Sequence, residues 1–240
     1  MRRLWMSALL APVMALAVPA MALAAPAAPA KPAAPAVAGR TVQLGSSGSS
    51  VRSIQRRLAA LKYYPGPIDG KFGMDLQEAV WAFQEVQGLP GEDFVSSAMQ
   101  RALSHPRAPR VLDRRAGPNR IEVNLSIEVL VLYHNNQVEL ISHVSTGGGY
   151  TYCTAGGCGV AITPTGNFST RVFFPGWIQV PLGEMYNSVF FIGTAFAIHG
   201  EIDVPLAPVS HGCVRIPMDI AQFFHKLVKI PGEPVIIRRP

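Results

Sequence analysis

The segment Ser210-His211-Gly212-Cys213-Val214-Arg215, with His199-Gly200 upstream, holds the residue types that covalent acyl chemistry needs. A thiol attacks as its thiolate, so a catalytic cysteine needs a base or a cation beside it. His199 and His211 stand 14 and 2 residues before Cys213. His211 shares a side with Cys213 if the segment is extended, and does not if Gly212 makes a tight turn. His199 follows the apolar run Phe190 to Ile198 and could end a core strand that faces the loop. Gly212 lets main-chain N–H groups around Cys213 come close to a developing oxyanion. Arg215 offers a planar fork for a carboxylate. Each residue also has a plainer reading. A lone cysteine is commonly a small buried hydrophobe, a lone histidine a structural residue, and His199, His211 and Cys213 could together ligate a metal.

The chain has three cysteines, and the other two, Cys153 and Cys158, flank Thr-Ala-Gly-Gly. Such close spacing suggests a local disulfide in an exported protein, with glycines that let the chain fold back. A zinc site is the rival reading, although no second ligand pair lies nearby. A disulfide would leave Cys213 as the unpaired thiol, which calls for a chemical explanation in an oxidising compartment.

Export is written at the N-terminus. Arg2 and Arg3 precede the apolar stretch Leu4 to Val18, and Ala22-Leu23-Ala24 supplies a small-residue cleavage site. That is the layout of a secretory signal peptide over residues 1–24; an uncleaved membrane anchor is the rival reading, against which Pro12, Pro19 and the shortness of the run argue. No cysteine lies near the cleavage site for a lipid anchor, and no later apolar run has the length of a spanning helix. Residues 25–40 are almost entirely Ala and Pro, an extended spacer that cannot bury a core.

Two folded units of different period follow. In residues 41–104, Val51, Ile54, Leu58 and Leu61 recur at helical spacing after Ser49 and Ser50 as candidate caps. Leu76, Ala79, Val80 and Phe83 repeat the pattern with Asp75 placed to cap. Met99, Ala102 and Leu103 predict a third short helix after Ser96 and Ser97. This reads as a small all-α bundle of three helices. Residues 105–118, with four arginines and three prolines, read as an exposed linker. From residue 119 to 240 the period becomes that of strands. Ile121, Val123 and Leu125 alternate with Glu122 and Asn124, and Val129 to Tyr133 is a continuous apolar run. His134 to Gln137 reads as a hairpin turn, and Val138 to Val144 as the returning strand. Asp219 to Lys229 carries the one helical pattern here. The unit reads as a mainly β, sandwich-like domain, and the chain as multidomain.

The formal charge of +6 does not mark a nucleic-acid face. Residues 41–104 are neutral and 119–240 carry −1, so the excess sits in the N-terminal segments and in 105–118, which carries +3.

Leu44-Gly45, Gly48, Ile54-Gln55, Leu58, Ile68-Asp69-Gly70, Phe72-Gly73, Ala79-Val80, Phe83-Gln84 and Gly88-Leu89 resemble the peptidoglycan-binding domain of many wall enzymes. Leu76 stands near a position where that family often has Thr. His199-Gly200 with Ser210-His211-Gly212-Cys213-Val214-Arg215-Ile216 is similar to the signature of L,D-transpeptidases with the YkuD-type catalytic domain. Ser145-Thr146-Gly147 and the run Thr163 to Phe168 extend that likeness. The spacing from His199 to Ser210 is short for the family, which implies a shorter active-site loop.

The resemblance implies Cys213 as nucleophile and His199 as general base, oriented by the Gly200 carbonyl. His211 would position substrate or support the oxyanion, for which the N–H groups of Gly212 and Cys213 would form the hole. Arg215, Tyr186 and Trp177 would line the substrate pocket, and Ser210 would bond to the backbone rather than take part in chemistry. No metal or cofactor is implied. The partners implied are peptidoglycan stem peptides and glycan, with no nucleic acid and no stable membrane insertion after signal cleavage. The place of action would be the periplasm or cell wall. The expected reaction releases D-alanine through a thioester and forms a 3→3 cross-link or attaches another amine. With water as acceptor the same site would make an L,D-carboxypeptidase or cross-link hydrolase, and a degenerate site would leave a non-catalytic wall-binding protein.

Overall fold

The computed structural model describes residues 41–240, so the signal peptide and spacer expected over 1–24 and 25–40 lie outside the described residues. In chain order the first elements are β1 (Val42–Gln43), α1 (Ser49–Ala60), α2 (Met74–Gln87), β2 (Phe94–Val95) and α3 (Ser97–Ser104). Then come β3 (Arg120–Asn124), β4 (Val129–His134), β5 (Gln137–His143), β6 (Thr151–Thr154), β7 (Gly157–Val160) and β8 (Gly166–Ser169). The last are β9 (Val172–Val180), β10 (Gly183–Ile192), β11 (Phe196–Glu201), β12 (Val214–Pro217), α4 (Met218–Leu227) and β13 (Pro234–Arg238).

The three N-terminal helices bury the faces that their spacing predicts, with Val51 and Leu58 of α1, Leu76, Val80 and Phe83 of α2 and Met99 of α3 all at 2% exposure or less. Their starts differ from expectation. Gly48 caps α1 and Gly73 caps α2, without a side-chain cap bond; Ser49, Ser50 and Asp75 sit inside the first turns. Asp75 still carries its charge at the positive end of the helix. At α3 the Ser96 hydroxyl accepts from Met99 N at 3.2 Å, an ordinary N-cap. The turn between α1 and α2 is held by the buried amide of Gln55, which donates to Pro67 O at 2.8 Å and accepts from Gly70 N at 2.8 Å. A short antiparallel pairing of β1 with β2 joins the two ends of this segment.

Two larger sheets, β5-β4-β3-β13-β8 and β12-β11-β10-β9, and the two-stranded β6-β7 hairpin make up the rest. Ile121, Val123, Val235 and Ile237 of the first meet Val189, Phe191, Ile198, Val214 and Ile216 of the second, with Ile220 and Phe224 of α4 in the same core. The β4–β5 turn puts Asn135 and Asn136 at φ 51° and 61°, the conformation a two-residue hairpin takes.

The other face of the first sheet is buried too. Val129, Val131, Tyr133 and Ile141 share one apolar cluster with Val51, Leu58, Leu76 and Phe83. Burial on both faces is why Val129 to Tyr133 is continuous in apolar character rather than alternating. It also explains Glu122, 1% exposed, which accepts from Arg120 Nε and Leu112 N at 2.7 Å each. Residues 105–118 are mostly exposed but tied down, since the Gln87 amide bonds Arg107 N and O at 2.8 and 3.0 Å. Residues 41–240 lie within one compact unit. Among the described residues no helix is long and apolar enough to cross a membrane.

Candidate active site

Strands β11 and β12 run parallel, with His199 opposite Arg215 and Gly200 opposite Ile216. Side chains alternate along a strand, so His199 and Arg215 share one sheet face while Gly200, Ile198 and Val214 share the other. Cys213 precedes β12 by one residue and falls on the His199 face. Both line a cavity of about 520 Å³, together with His211, Arg215, Tyr152 and Glu201.

His199 is 3% exposed, and its Nδ1 lies 3.0 Å from Gly200 O. A carbonyl only accepts, so Nδ1 carries the proton and Nε2 presents a bare lone pair. Burial lowers its pKa to about 4, with the Arg215 charge acting in the same direction, so the imidazole is neutral near neutral pH. Cys213 remains a free thiol, its Sγ 3.9 Å from Ala195 O and 4.0 Å from Met185 Sδ. Burial pushes its pKa above the ordinary thiol value. The resting state is therefore a thiol and a neutral imidazole in one cavity, so the thiol would act as a nucleophile only with transfer of its proton. Arg215 Nε sits 3.8 Å from a Glu201 carboxylate oxygen, so its charge is partly matched.

The backbone around Cys213 is clamped from two sides. Ser145 N and O bond Arg215 O and N at 3.1 and 3.0 Å, and Ser210 N donates to Thr146 O at 2.9 Å. Thr163 Oγ1 accepts from Gly147 N and donates to Gly212 O, each at 2.8 Å. The Ser210 hydroxyl donates to Cys213 O at 2.6 Å and accepts from Gly212 N at 3.0 Å, a structural role. Gly212 has φ 139°, and a Cβ there would lie 2.6 Å from the Phe196 ring and 2.8 Å from Ile162 O. Glycine is required by both backbone angle and space.

Two expectations need correction. The Gly212 N–H already donates to Ser210 Oγ, so it is not free for an oxyanion. Tyr186 and Trp177 are not among the residues lining the cavity. Tyr186 pairs with Gly200 on one side and Trp177 on the other, so all three lie on the face opposite His199. There the Tyr186 ring covers Gly200, with Met218 and Ala221 of α4 alongside, and tilts against Trp177 at 5.3 Å.

The cysteine pair adds a residue that its own spacing did not reveal. Cys153 and Cys158 form a disulfide, S–S 2.02 Å, across the β6–β7 hairpin. Their neighbour Tyr152 lines the cavity, and its ring meets His211 edge-on at 4.9 Å, with Tyr150 on His211 at 5.4 Å. The aromatic pair Tyr150 and Tyr152 just before Cys153 was the available signal. Among the described residues no cluster of three or more His, Cys, Asp or Glu side chains has the geometry of a metal site.

Comparison with known proteins matches residues 118–237 to the family model described as L,D-transpeptidase catalytic domain, and residues 47–93 to that of a peptidoglycan binding domain. An L,D-transpeptidase structure from Xylanimonas cellulosilytica is 31% identical, covers 87% of this chain and 100% of its own, and superposes with a TM-score of 0.78. An L,D-transpeptidase structure from Stackebrandtia nassauensis is 18% identical over 82% of this chain and 95% of its own, with a TM-score of 0.47. A search of curated proteins found no match.

Proposed function

Since the chain belongs to the L,D-transpeptidase catalytic-domain family, we propose that it is a cysteine acyltransferase acting on peptidoglycan stem peptides, with Cys213 as nucleophile. The carrying observation is the His199 lone pair, exposed to the cavity by the Gly200 carbonyl, in the same cavity as a free thiol. Cys213 Sγ attacks the carbonyl of the third, diamino-acid residue of a tetrapeptide stem. His199 Nε2 takes the thiol proton as the C–S bond forms, then gives it to the nitrogen of departing D-alanine. An amine of a second stem attacks the thioester, His199 takes a proton from that amine, and the thiol is restored. The product is a 3→3 cross-link.

With Gly212 N–H engaged, the Cys213 N–H and the His211 ring are the oxyanion donors we assign. Arg215 and Tyr152 contact the donor stem. Residues 1–24 direct export and 25–40 space the folded part from the membrane, so action is in the periplasm or cell wall. Residues 41–104 hold the enzyme to peptidoglycan, and 119–240 do the chemistry. The test is product mass after incubation with tetrapeptide stems. A joined stem that is absent with Cys213→Ala supports the reading; a tripeptide alone would instead make water the acceptor, and no product from either protein would refute it.

A further inference from the structure

The loop 202–209 connects the strand of His199 to the segment of Cys213, and its anchors lie outside the thiol site. Val204 is 1% exposed, and its carbonyl lies 3.0 Å from His143 Nε2, with Pro205 O at 3.2 Å. A second anchor is Ser145, whose hydroxyl donates to Ala207 O at 2.8 Å and accepts from Val209 N at 3.1 Å. The third is Gly91, between α2 and β2, against which the Leu206 side chain sits so closely that a Cβ would fall 2.8 Å from its Cδ1.

His143 is the link between these anchors and the helical part. Its Nδ1 lies 2.8 Å from Glu85 Oε1 on α2. Main-chain carbonyls only accept, so Nε2 bears a proton, and Nδ1 shares a second proton with the Glu85 carboxyl. The imidazole is 1% exposed, and the Trp81 ring meets it edge-on at 5.6 Å. A pair buried at this depth gains little stability over an apolar pair of the same volume. What it does gain is direction, since one end is a helix side chain and the other is the backbone of the loop that leads to Cys213.

We propose that Glu85 and His143 are positioning residues for the thiol site, so that α2 of the peptidoglycan-binding part holds the Val204–Cys213 segment through the imidazole. The effect on acylation rests on Cys213 being the nucleophile; the effect on the loop does not.

The experiment is amide hydrogen exchange on the full chain, with acyl-enzyme formation measured in parallel. Glu85→Ala should raise exchange of the Val209, Ser210 and Gly212 amides about ten- to a hundredfold, the size of one lost hydrogen bond to a charged group. Amides of β3 and β13 should keep wild-type protection. Glu85→Gln, whose amide can still bond the imidazole, should restore protection to within about threefold, and the acylation rate should follow the same order. If Glu85→Ala fails to fold, Glu85→Leu decides, because it fills the same space without a carboxyl to bond the imidazole and should loosen the same amides. Unchanged protection of Val209 to Gly212 in the folded variants would overturn the proposal. Loosened amides in a protein whose wild type never acylates would support the coupling and refute the nucleophile assignment alone.

Discussion

Replacing Thr163 by valine keeps the shape of the side chain and removes one hydroxyl. Thr163 is 3% exposed, and its Oγ1 serves Gly147 N and Gly212 O, each at 2.8 Å. In Thr163→Val both backbone groups stay buried and lose their partner. A buried polar group left unpaired costs about 1–3 kcal/mol, so two give about 2–4 kcal/mol after some relaxation. That is a factor of about 30 to 1000 in the folding equilibrium. Thr163→Ser keeps the hydroxyl and loses a methyl, worth about 1 kcal/mol. Urea unfolding of the full chain reads both. The expected order is wild type, then Ser, then Val, with unchanged slopes. The acyl-enzyme rate should fall most in Val, because Gly212 precedes the thiol. Equal losses in Ser and Val, or a Val midpoint at the wild-type value, would show that the hydroxyl does not hold this segment.

Glu78 is 7% exposed, and burial, with the charges of Asp219, Asp75 and Asp203 nearby, raises its pKa from 4.5 to about 8. A raised folded pKa gives stability that is fully present below about 4.5 and is lost as pH rises through about 8, with a slope of up to about 1.4 kcal/mol per unit. Glu78→Gln should flatten this fall and raise Tm at pH 8, read by thermal unfolding across pH. In Gly200→Ala the Cβ would lie 2.6 Å from Ala221 Cβ, an overpacking of about 1–3 kcal/mol, and slower acylation should accompany the lower Tm. Changing Cys153 and Cys158 together to serine should leave global unfolding nearly unchanged, because β6 and β7 pair only with each other. Substrate KM should rise several-fold as Tyr152 loses its hold on His211, read by steady-state kinetics.

The candidate site was legible in the sequence because His199 and Gly200 lie on β11 and Cys213 directly precedes the adjoining β12, so a short segment of chain carries the signature. The helical faces and the alternation of Ile121, Val123 and Leu125 were legible for a similar reason, since periodicity is local. Which face a strand residue takes depends on register and is not local. The pairing shifts between Tyr186 and Val189, so no count along β10 could place Tyr186 and Trp177 away from the cavity. Neighbouring serines and glycines around residue 48 offer several caps of similar strength, and the chain uses Gly48. The Glu85–His143 bond joins residues 58 apart, and only the packing of α2 on β5 creates it.

The most direct test of the account is the intact mass of the purified protein and its Cys213→Ala variant after incubation with a tetrapeptide stem. The wild-type protein should gain an adduct equal to the stem minus D-alanine, with none on the variant. The same adduct on Cys213→Ala, or free D-alanine released equally by both proteins, would contradict it.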